Sequence, residues 1–362
     1  MAHGTPPARE DVAGFYTSIL DGRPPSEEQL SNLLHRYDMI GGLSPMAERT
    51  KEQQAGLQHA LDAMAPGGYR VFLGTRHASP SIEEAVSAMY RAGIRRGVSL
   101  VLAPQYSDLS VGRYLERAAA AVAATAGRVK GRVDGRMDGR MALTPVRCWH
   151  DAPGLAELFA SRLRASIARL RLRGDDQGGD RQSSQASSDP EIVFTAHSLP
   201  RRIENIGDPY PDQVSDTASR VAALAGVGTY HLAWQSAGKR GGDWLQPDLG
   251  STISDLVKQG ASTLLVCPVG FISDHLEVLY DIDVEARQLA SRLGAHLSRT
   301  ESLNADPVLM EILANVVIGA TGEQASTSPM SGATGEQAST SPMSGATGEQ
   351  ASTSPMSQTA RS

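Results

Sequence analysis

Thr263-Leu-Leu-Val-Cys-Pro-Val-Gly-Phe-Ile-Ser-Asp-His-Leu-Glu-Val-Leu-Tyr-Asp-Ile-Asp283 reads as a strand, a turn and a helix in one line. Residues 263–267 are apolar without alternation, the mark of a parallel strand covered on both faces. Pro268 ends it, because proline has no N–H to give to a ladder. From Ser273 or Asp274 a helical period takes over. Glu277, Asp281 and Glu285 recur at steps of four and share one helix face. A solvated acidic face is the plain reading. Against it, Phe271, Ile272, Leu276, Leu279 and Ile282 surround these acids with apolar side chains, as a carboxylate line inside a cleft would be surrounded.

A buried parallel strand requires crossover helices, and the rest of the chain supplies them. Further strands are expected at 69–73, 98–103, 143–149, 191–196 and 230–235. Helical patterns fall at 81–91, 111–124, 155–172, 212–224, 252–258 and 275–292. This alternation predicts an α/β fold with mostly parallel sheets flanked by helices. It runs once before and once after about residue 155, so two similar halves are expected, 1–155 and 156–305, with a ligand cleft between them. A helix at 306–318 follows. Three segments stand apart. Residues 127–141 read GRVK-GRVD-GRMD-GRM, 174–190 form a Gly/Gln/Ser/Asp-rich loop insert, and 319–362 carry three perfect copies of GATGEQASTSPMS. Copies so poor in apolar side chains cannot offset chain entropy, so a disordered tail is expected.

Bulk properties narrow the function. With 362 residues, 40% hydrophobic and 20% charged, the chain has the make-up of a globular protein. A net charge of −6 argues against a general nucleic-acid binder. The two cysteines, Cys148 and Cys267, are too few for an iron–sulfur cluster. The start lacks the apolar core of a signal peptide. No stretch approaches the roughly 18 apolar residues of a membrane span. A reducing cytoplasm follows as the expected location.

His197 stands where the strand 191–196 runs out, where open α/β sheets hold ligands. It is either a hydrogen-bonded strand-end histidine or a ligand for a first-row metal. Trp234 is either core filling or the wall of a flat aromatic ligand. Arg36 and Ser44 flank Gly41-Gly42, which suits a carboxylate held beside a close-approaching backbone, or a plain helix-to-turn exit.

The segments AHSLP at 196–200, GDPYPDQ at 207–213, WQSAG at 234–238 and PVGFISDHLEVLYDID at 268–283, in this order, resemble the ferrochelatase family, whose members insert ferrous iron into a porphyrin. The resemblance covers about residues 1–318 without the inserts. MAHGTP, YDMIGGLSPMAERT and VLAPQYSDLSVGRY are most similar to its soluble Gram-positive branch, which acts on coproporphyrin III. The resemblance implies two Rossmann-like, chelatase-type halves around a porphyrin cleft. It implies a lyase that forms Fe-coproporphyrin III (coproheme) for haem b biosynthesis, with protoporphyrin IX ferrochelatase or a non-catalytic porphyrin- or haem-binding protein as alternatives.

By the same resemblance His197 and Glu277 are the catalytic pair that takes Fe2+, while Asp281 and Glu285 continue outward as a metal path. Arg36, Tyr37, Ser44 and Tyr114 match propionate-holding positions; His77 and Trp234 match pocket-lining ones. His3 stands where relatives carry a tyrosine that reaches the iron, and is an expected axial ligand. Leu20 occupies the place of an arginine, with Arg23 close by as its substitute. Relatives also carry residues upstream that form a first strand, whose loss would expose an unpaired edge. The expected partners are coproporphyrin III, Fe2+ and the downstream coproheme decarboxylase. No cofactor, nucleic acid or membrane span is expected, and the protein should be a monomer.

Overall fold

Parallel strands need helices to carry the chain back across the sheet, and that need fixes the order of elements. The computed structural model describes residues 1–128, 141–176, 189–238 and 243–322. Residues 129–140 of the repeat insert, 177–188 of the loop insert and 323–362 of the tail lie outside these residues. The amino-terminal half holds α1 (Val12–Ile19), α2 (Glu27–Met39), α3 (Met46–Met64), α4 (Ile82–Arg91), β1 (Arg96–Ser99), α5 (Val111–Arg128) and β2 (Ala142–Pro145). The carboxy-terminal half holds α6 (Leu155–Asp176), β3 (Glu191–His197), α7 (Arg202–Asn205), α8 (Tyr210–Ala225), β4 (His231–Gln235), α9 (Leu249–Lys258) and β5 (Thr263–Cys267). A π-helix (Val278–Ala286), α10 (Arg287–Arg292), β6 (His296–Arg299) and α11 (Pro307–Thr321) complete it.

The carboxy-terminal sheet is parallel throughout, in the order β4-β3-β5-β6. Successive side chains of β3 alternate between its faces. Ile192, Phe194 and Ala196 enter the core formed with α6, α8 and α11, while Val193 meets α9, α10 and the π-helix on the other side. Burial of Ile192, Val193 and Phe194 contributes about 1.5–3 kcal/mol each, which anchors β3 firmly. His197 ends it, so a well-fixed strand delivers the imidazole.

The two halves are tied together beneath the cleft by residues of the GDPYPDQ segment. Asp208 is buried, and its Oδ2 accepts from Ser107 Oγ and the Asp108 N–H, both at 2.9 Å. Its Oδ1 accepts the Tyr210 N–H at 3.0 Å at the start of α8. Gln213 Oε1 takes the Tyr106 N–H at 2.7 Å, and Gln105 Nε2 reaches Thr217 Oγ1 and the Val269 carbonyl, both at 3.2 Å.

The amino-terminal half departs from expectation. Only β1 and β2 form a ladder there among the described residues. The expected strand at 69–73 is unladdered: Gln58 Oε1 accepts the Val71 N–H at 2.8 Å, and Gln54 Nε2 donates to the Val71 carbonyl at 3.2 Å. Between this segment and β1 lies a cavity of about 370 Å³ lined by Met1, Leu57, Val71, Leu73, Val98 and Leu100 among others. Met1 and Ala2 sit at its end, where Ala2 forms an isolated parallel bridge with Thr75. The Ala2 N–H donates to the Gly74 carbonyl at 3.1 Å, and the Leu102 N–H to the Met1 carbonyl at 2.9 Å. The unpaired edge faces a partly open cavity, to whose wall α3 and α11 supply Leu57, Leu61 and Val317.

Other differences are local. Helices α1 to α3 were not among the expected elements, although Ser26 and Gln29 form a reciprocal capping box at the start of α2. The edge strand β6 was missed, and the C-terminal helix runs to Thr321 rather than 318. The helix at 275–292 is in large part a π-helix, whose i→i+5 bonds widen the backbone and are frequent at functional sites.

Candidate active site

The cleft is built where β3 and β5 end. Gly270 follows β5, and its N–H donates to the Thr195 carbonyl at 3.1 Å. A Cβ at Gly270 would lie 2.5 Å from Ala196 Cβ and 2.7 Å from Ala196 Cα, so only glycine lets this turn press against β3. That contact brings the following segment alongside His197. Asp274 fixes the segment further: its carboxylate accepts from Ser302 Oγ (2.8 Å), Arg299 Nη2 (2.9 Å) and Asn304 Nδ2 (3.0 Å). Burial alone would raise the Asp274 pKa, but these donors hold it below the usual carboxylate range. Buried Gln53 of α3 donates to Ser273 Oγ at 2.7 Å and to the Asn304 carbonyl at 2.8 Å.

The result is an imidazole facing a carboxylate. His197 Nε2 lies 3.5 Å from Glu277 Oε1, and each side chain is 35% exposed, so an ion can reach both. His197 Nδ1 donates to the Ser198 carbonyl at 2.5 Å, which turns Nε2 toward Glu277. Tyr210 Oη donates to the His197 carbonyl at 3.0 Å, and Gln235 Nε2 to the Glu277 carbonyl at 3.2 Å. Burial lowers the His197 pKa, but the Glu277 charge and hydrogen bond outweigh it and raise the imidazole to about 9. Burial acts the other way on Glu277, where the charges of His197, His275 and His3 prevail and push the carboxyl well below its ordinary range. At neutral pH the pair therefore shares a proton as imidazolium and carboxylate.

A cleft of about 500 Å³ opens above this pair, and its wall includes His3, Arg36, Tyr37, Ser44, Tyr114, His197 and Glu277. The expected propionate-holding residues thus do meet the expected metal pair. Burial pushes the Tyr114 phenol up to about 12, so it is a neutral donor. His3 Nδ1 pairs with the Gly4 carbonyl at 3.1 Å, leaving Nε2 free of that bond. Burial, offset in part by the Gly4 bond and the Glu277 charge, keeps the His3 imidazole below its ordinary pKa. His77 stands beside His3, with ring centroids 4.7 Å apart, and its Nδ1 pairs with Ser18 Oγ at 2.9 Å. Burial lowers the His77 pKa to about 3.

Five expected residues, His77 among them, fall outside the wall of this cleft. Trp234 does not line this cleft; it is buried behind the wall in the main core, 5.7 Å centroid to centroid from Tyr210, which does line it. Arg23 is exposed, and its Nε turns to the Leu20 carbonyl at 3.4 Å. Asp281 is buried one step along from Glu277, bonded to Arg36 and to Ser236, while Glu285 is exposed at the outer end of the line. Burial first, then the charges of Glu277 and Glu285 against that of Arg36, raise Asp281 to about 6. Sequence reasoning gave no role to Tyr210, Gln235, Gln53 or Asp274. The GDPYPDQ and WQSAG segments were visible signals for the first two; Gln53 carries no local signal.

A family model described as Ferrochelatase matches residues 1–321. The coproporphyrin III ferrochelatase of Geobacillus kaustophilus (strain HTA426) is 38% identical over 326 residues, which are 90% of this chain and 95% of that protein. The coproporphyrin III ferrochelatase of Bacillus subtilis (strain 168) is 36% identical over 324 residues, 89% and 96% of the respective chains. Among solved structures, SirB from Bacillus subtilis with Fe3+ aligns at a TM-score of 0.43 and 13% identity, over 75% of this chain and 91% of that one.

Proposed function

The chain belongs to the ferrochelatase family, and from that premise we propose that it inserts Fe2+ into coproporphyrin III to form coproheme in haem b biosynthesis. One observation carries the reading: His197 and Glu277 meet at 3.5 Å on the wall of a cleft that Arg36, Tyr37, Ser44 and Tyr114 also line. An imidazole and a carboxylate together suit a borderline divalent cation. Guanidinium, hydroxyl and phenol donors suit the carboxylates at a porphyrin's rim.

Insertion takes an iron and a free-base porphyrin to a metalloporphyrin and two protons. Neither iron nor ring changes oxidation state, so the chemistry calls for no cofactor. The proton held between His197 and Glu277 leaves as Fe2+ arrives, since the cation competes for the same nitrogen and oxygen. His197 Nε2, fixed by the Ser198 and Tyr210 bonds, presents the metal at one point above the ring. The same pair then takes up the pyrrole protons, which depart along Asp281 and Glu285. His3, whose Nδ1 is tied to the Gly4 carbonyl, offers its Nε2 to the product iron.

Among the described residues no helix is long and apolar enough to cross a membrane. The reading places the enzyme in the cytoplasm as a monomer that hands coproheme to a decarboxylase. Anaerobic assay with Fe2+ and either porphyrin tests it. The expected result is iron-dependent loss of coproporphyrin III fluorescence, faster than for protoporphyrin IX. Preference for protoporphyrin IX overturns the substrate, and tight binding of either porphyrin without turnover overturns the enzyme.

A further inference from the structure

Among the described residues the cleft wall carries two arginines, Arg36 and Arg76. Arg36 already has a carboxylate, that of Asp281. Arg76 has none: its guanidinium makes no hydrogen bond or ion pair among the described residues and lies over the Tyr114 ring, 5.6 Å from the centroid. A ring face orients a guanidinium without neutralising it. Half-buried Arg76 thus presents an uncompensated positive charge to the cleft. Arg23, exposed and turned to the Leu20 carbonyl, adds no third cation there.

Backbone bonds fix where that charge stands. The Arg76 N–H donates to the Ala2 carbonyl at 2.9 Å, and the His77 N–H to the His3 carbonyl at 3.0 Å. The Arg76 carbonyl accepts from Arg117 Nη1. Arg117 in turn takes both oxygens of Glu83, at 2.6 and 2.9 Å, so that acid serves another cation. The cleft donors therefore fall into two groups. Arg36, Tyr37 and Ser44 come from α2 and the turn after it; Arg76 and Tyr114 come from the approach to α4 and from α5. Their fields are separate. Burial raises the pKa of both phenols; Arg36 opposes it at Tyr37, after the Thr5 hydrogen bond, whereas Arg76 opposes it at Tyr114.

Protoporphyrin IX carries its two propionates on adjacent pyrroles, along one edge of the ring, and one group of donors suffices for such an edge. Coproporphyrin III carries a propionate on every pyrrole, so it alone has acids for both groups at once. We propose that Arg76 is a specificity residue, which with Tyr114 beside it holds a propionate that coproporphyrin III has and protoporphyrin IX lacks. The guanidinium takes the carboxylate through two parallel N–H···O bonds, and the neutral Tyr114 phenol adds a donor. In protoporphyrin IX a vinyl group stands in place of that acid and leaves Arg76 as uncompensated as it is in the empty cleft. The proposal rests on the porphyrin-binding reading of this cleft and names the substrate feature that the cleft selects.

The test is a pair of titrations of the full chain without iron, one with coproporphyrin III and one with protoporphyrin IX, followed by porphyrin fluorescence. Arg76→Met keeps the apolar stem and removes the charge. It should weaken coproporphyrin III binding by at least about tenfold, the size of a lost charged hydrogen bond. Protoporphyrin IX should weaken by no more than about threefold, the size of a screened charge effect. Arg76→Lys, which keeps the charge but not the fork, should recover part of the coproporphyrin III loss. A structural role for Arg76 would lower both affinities alike, and a solvated surface role would lower neither. Equal losses for the two porphyrins, or no loss for coproporphyrin III, therefore overturn the proposal. Thermal melts exclude misfolding of Arg76→Met, and Arg76→Gln replaces it in the titrations if it unfolds. Because no iron is present, the outcome is independent of metalation: a protein that binds both porphyrins and turns over neither still shows the selective loss.

Discussion

His197 Nε2 lies 3.5 Å from Glu277 Oε1, although one residue ends β3 and the other immediately precedes the π-helix. The distance is set by backbone contacts on both sides: the Gly270 turn against Ala196, and the Asp274 cluster that anchors the segment before Glu277. The pair is thus preorganised, and its removal should affect chemistry far more than folding. His197→Ala and Glu277→Gln are each expected to cut the insertion rate by at least about 10²-fold, the usual size of a lost acid–base group. Porphyrin affinity, measured by fluorescence quenching, should change little. A variant that keeps near-wild-type insertion removes its residue from the metal pair.

The same pair makes stability depend on pH. His197 is raised to about 9 in the folded protein against 6.5 for a free imidazole, so its contribution is full below 6.5 and is lost as pH climbs through about 9. Glu277 is lowered from 4.5, so its contribution is full above 4.5 and is lost as pH falls below that value. The pair therefore supports the fold best between these two ordinary values. Glu277→Gln should flatten the alkaline limb of a Tm-versus-pH curve. It should also move the His197 imidazole titration, read by NMR, well below 9, because burial is then opposed by fewer charges. An unchanged titration would show that Glu277 does not hold that proton.

Much of this was legible in the sequence because the carboxy-terminal half obeys local rules. Strands 191–196 and 263–267 are apolar runs closed by a proline or a polar residue, and the acids at 277, 281 and 285 announce their shared face. The amino-terminal half was less readable. Residues 69–73 have strand composition, but a ladder depends on what lies alongside, and there a cavity lies alongside. Trp234 shows the same limit: its motif was visible, yet whether a strand-end indole faces the cleft or the core depends on Tyr210 packing between them. The Arg36–Asp281 ion pair joins α2 to the π-helix and carries no sequence signal at all.

Gly270→Ala tests the backbone origin of the site. The added methyl would lie 2.5 Å from Ala196 Cβ, so either β3 or the turn must shift. Overpacking of this kind costs about 1–3 kcal/mol, measurable by denaturant unfolding. Because the shift falls between His197 and Glu277, insertion should slow by more than the stability loss explains. A variant with normal turnover would mean that the close approach does not set the geometry.

The tail offers a sharper boundary than the sequence alone suggested. Tyr69 Oη and Thr321 Oγ1 pair at 2.8 Å, and Thr321 Oγ1 also donates to the Ile318 carbonyl at 2.7 Å. Cutting after Gly322 should leave insertion and Tm unchanged, since no residue beyond it resembles a ligand. Cutting before Gly319 removes the last turn of α11 and should cost about 0.5–1.5 kcal/mol for each hydrogen bond lost. Equal stability of the two truncations would show that the final turn adds nothing.

The cavity beside β1 can be filled from the chain itself. Met1 already lies between the two segments that wall it, with its N–H donating to the Leu100 carbonyl at 2.5 Å and its side chain inside. An extension fused ahead of Met1, about five residues long and rich in Val and Ile, has the length of a typical strand and can pair on both sides. It also replaces the buried Met1 amine, whose pKa burial lowers to about 5, with a peptide N–H. Filling a cavity recovers about 24 cal/mol per Å³, so even partial filling should raise the midpoint of urea unfolding by an easily measured step. A control extension with lysine at alternate positions should not, because one face of a strand in this slot meets Leu57, Leu61 and Val317. If both extensions behave alike, the cavity does not accept a strand.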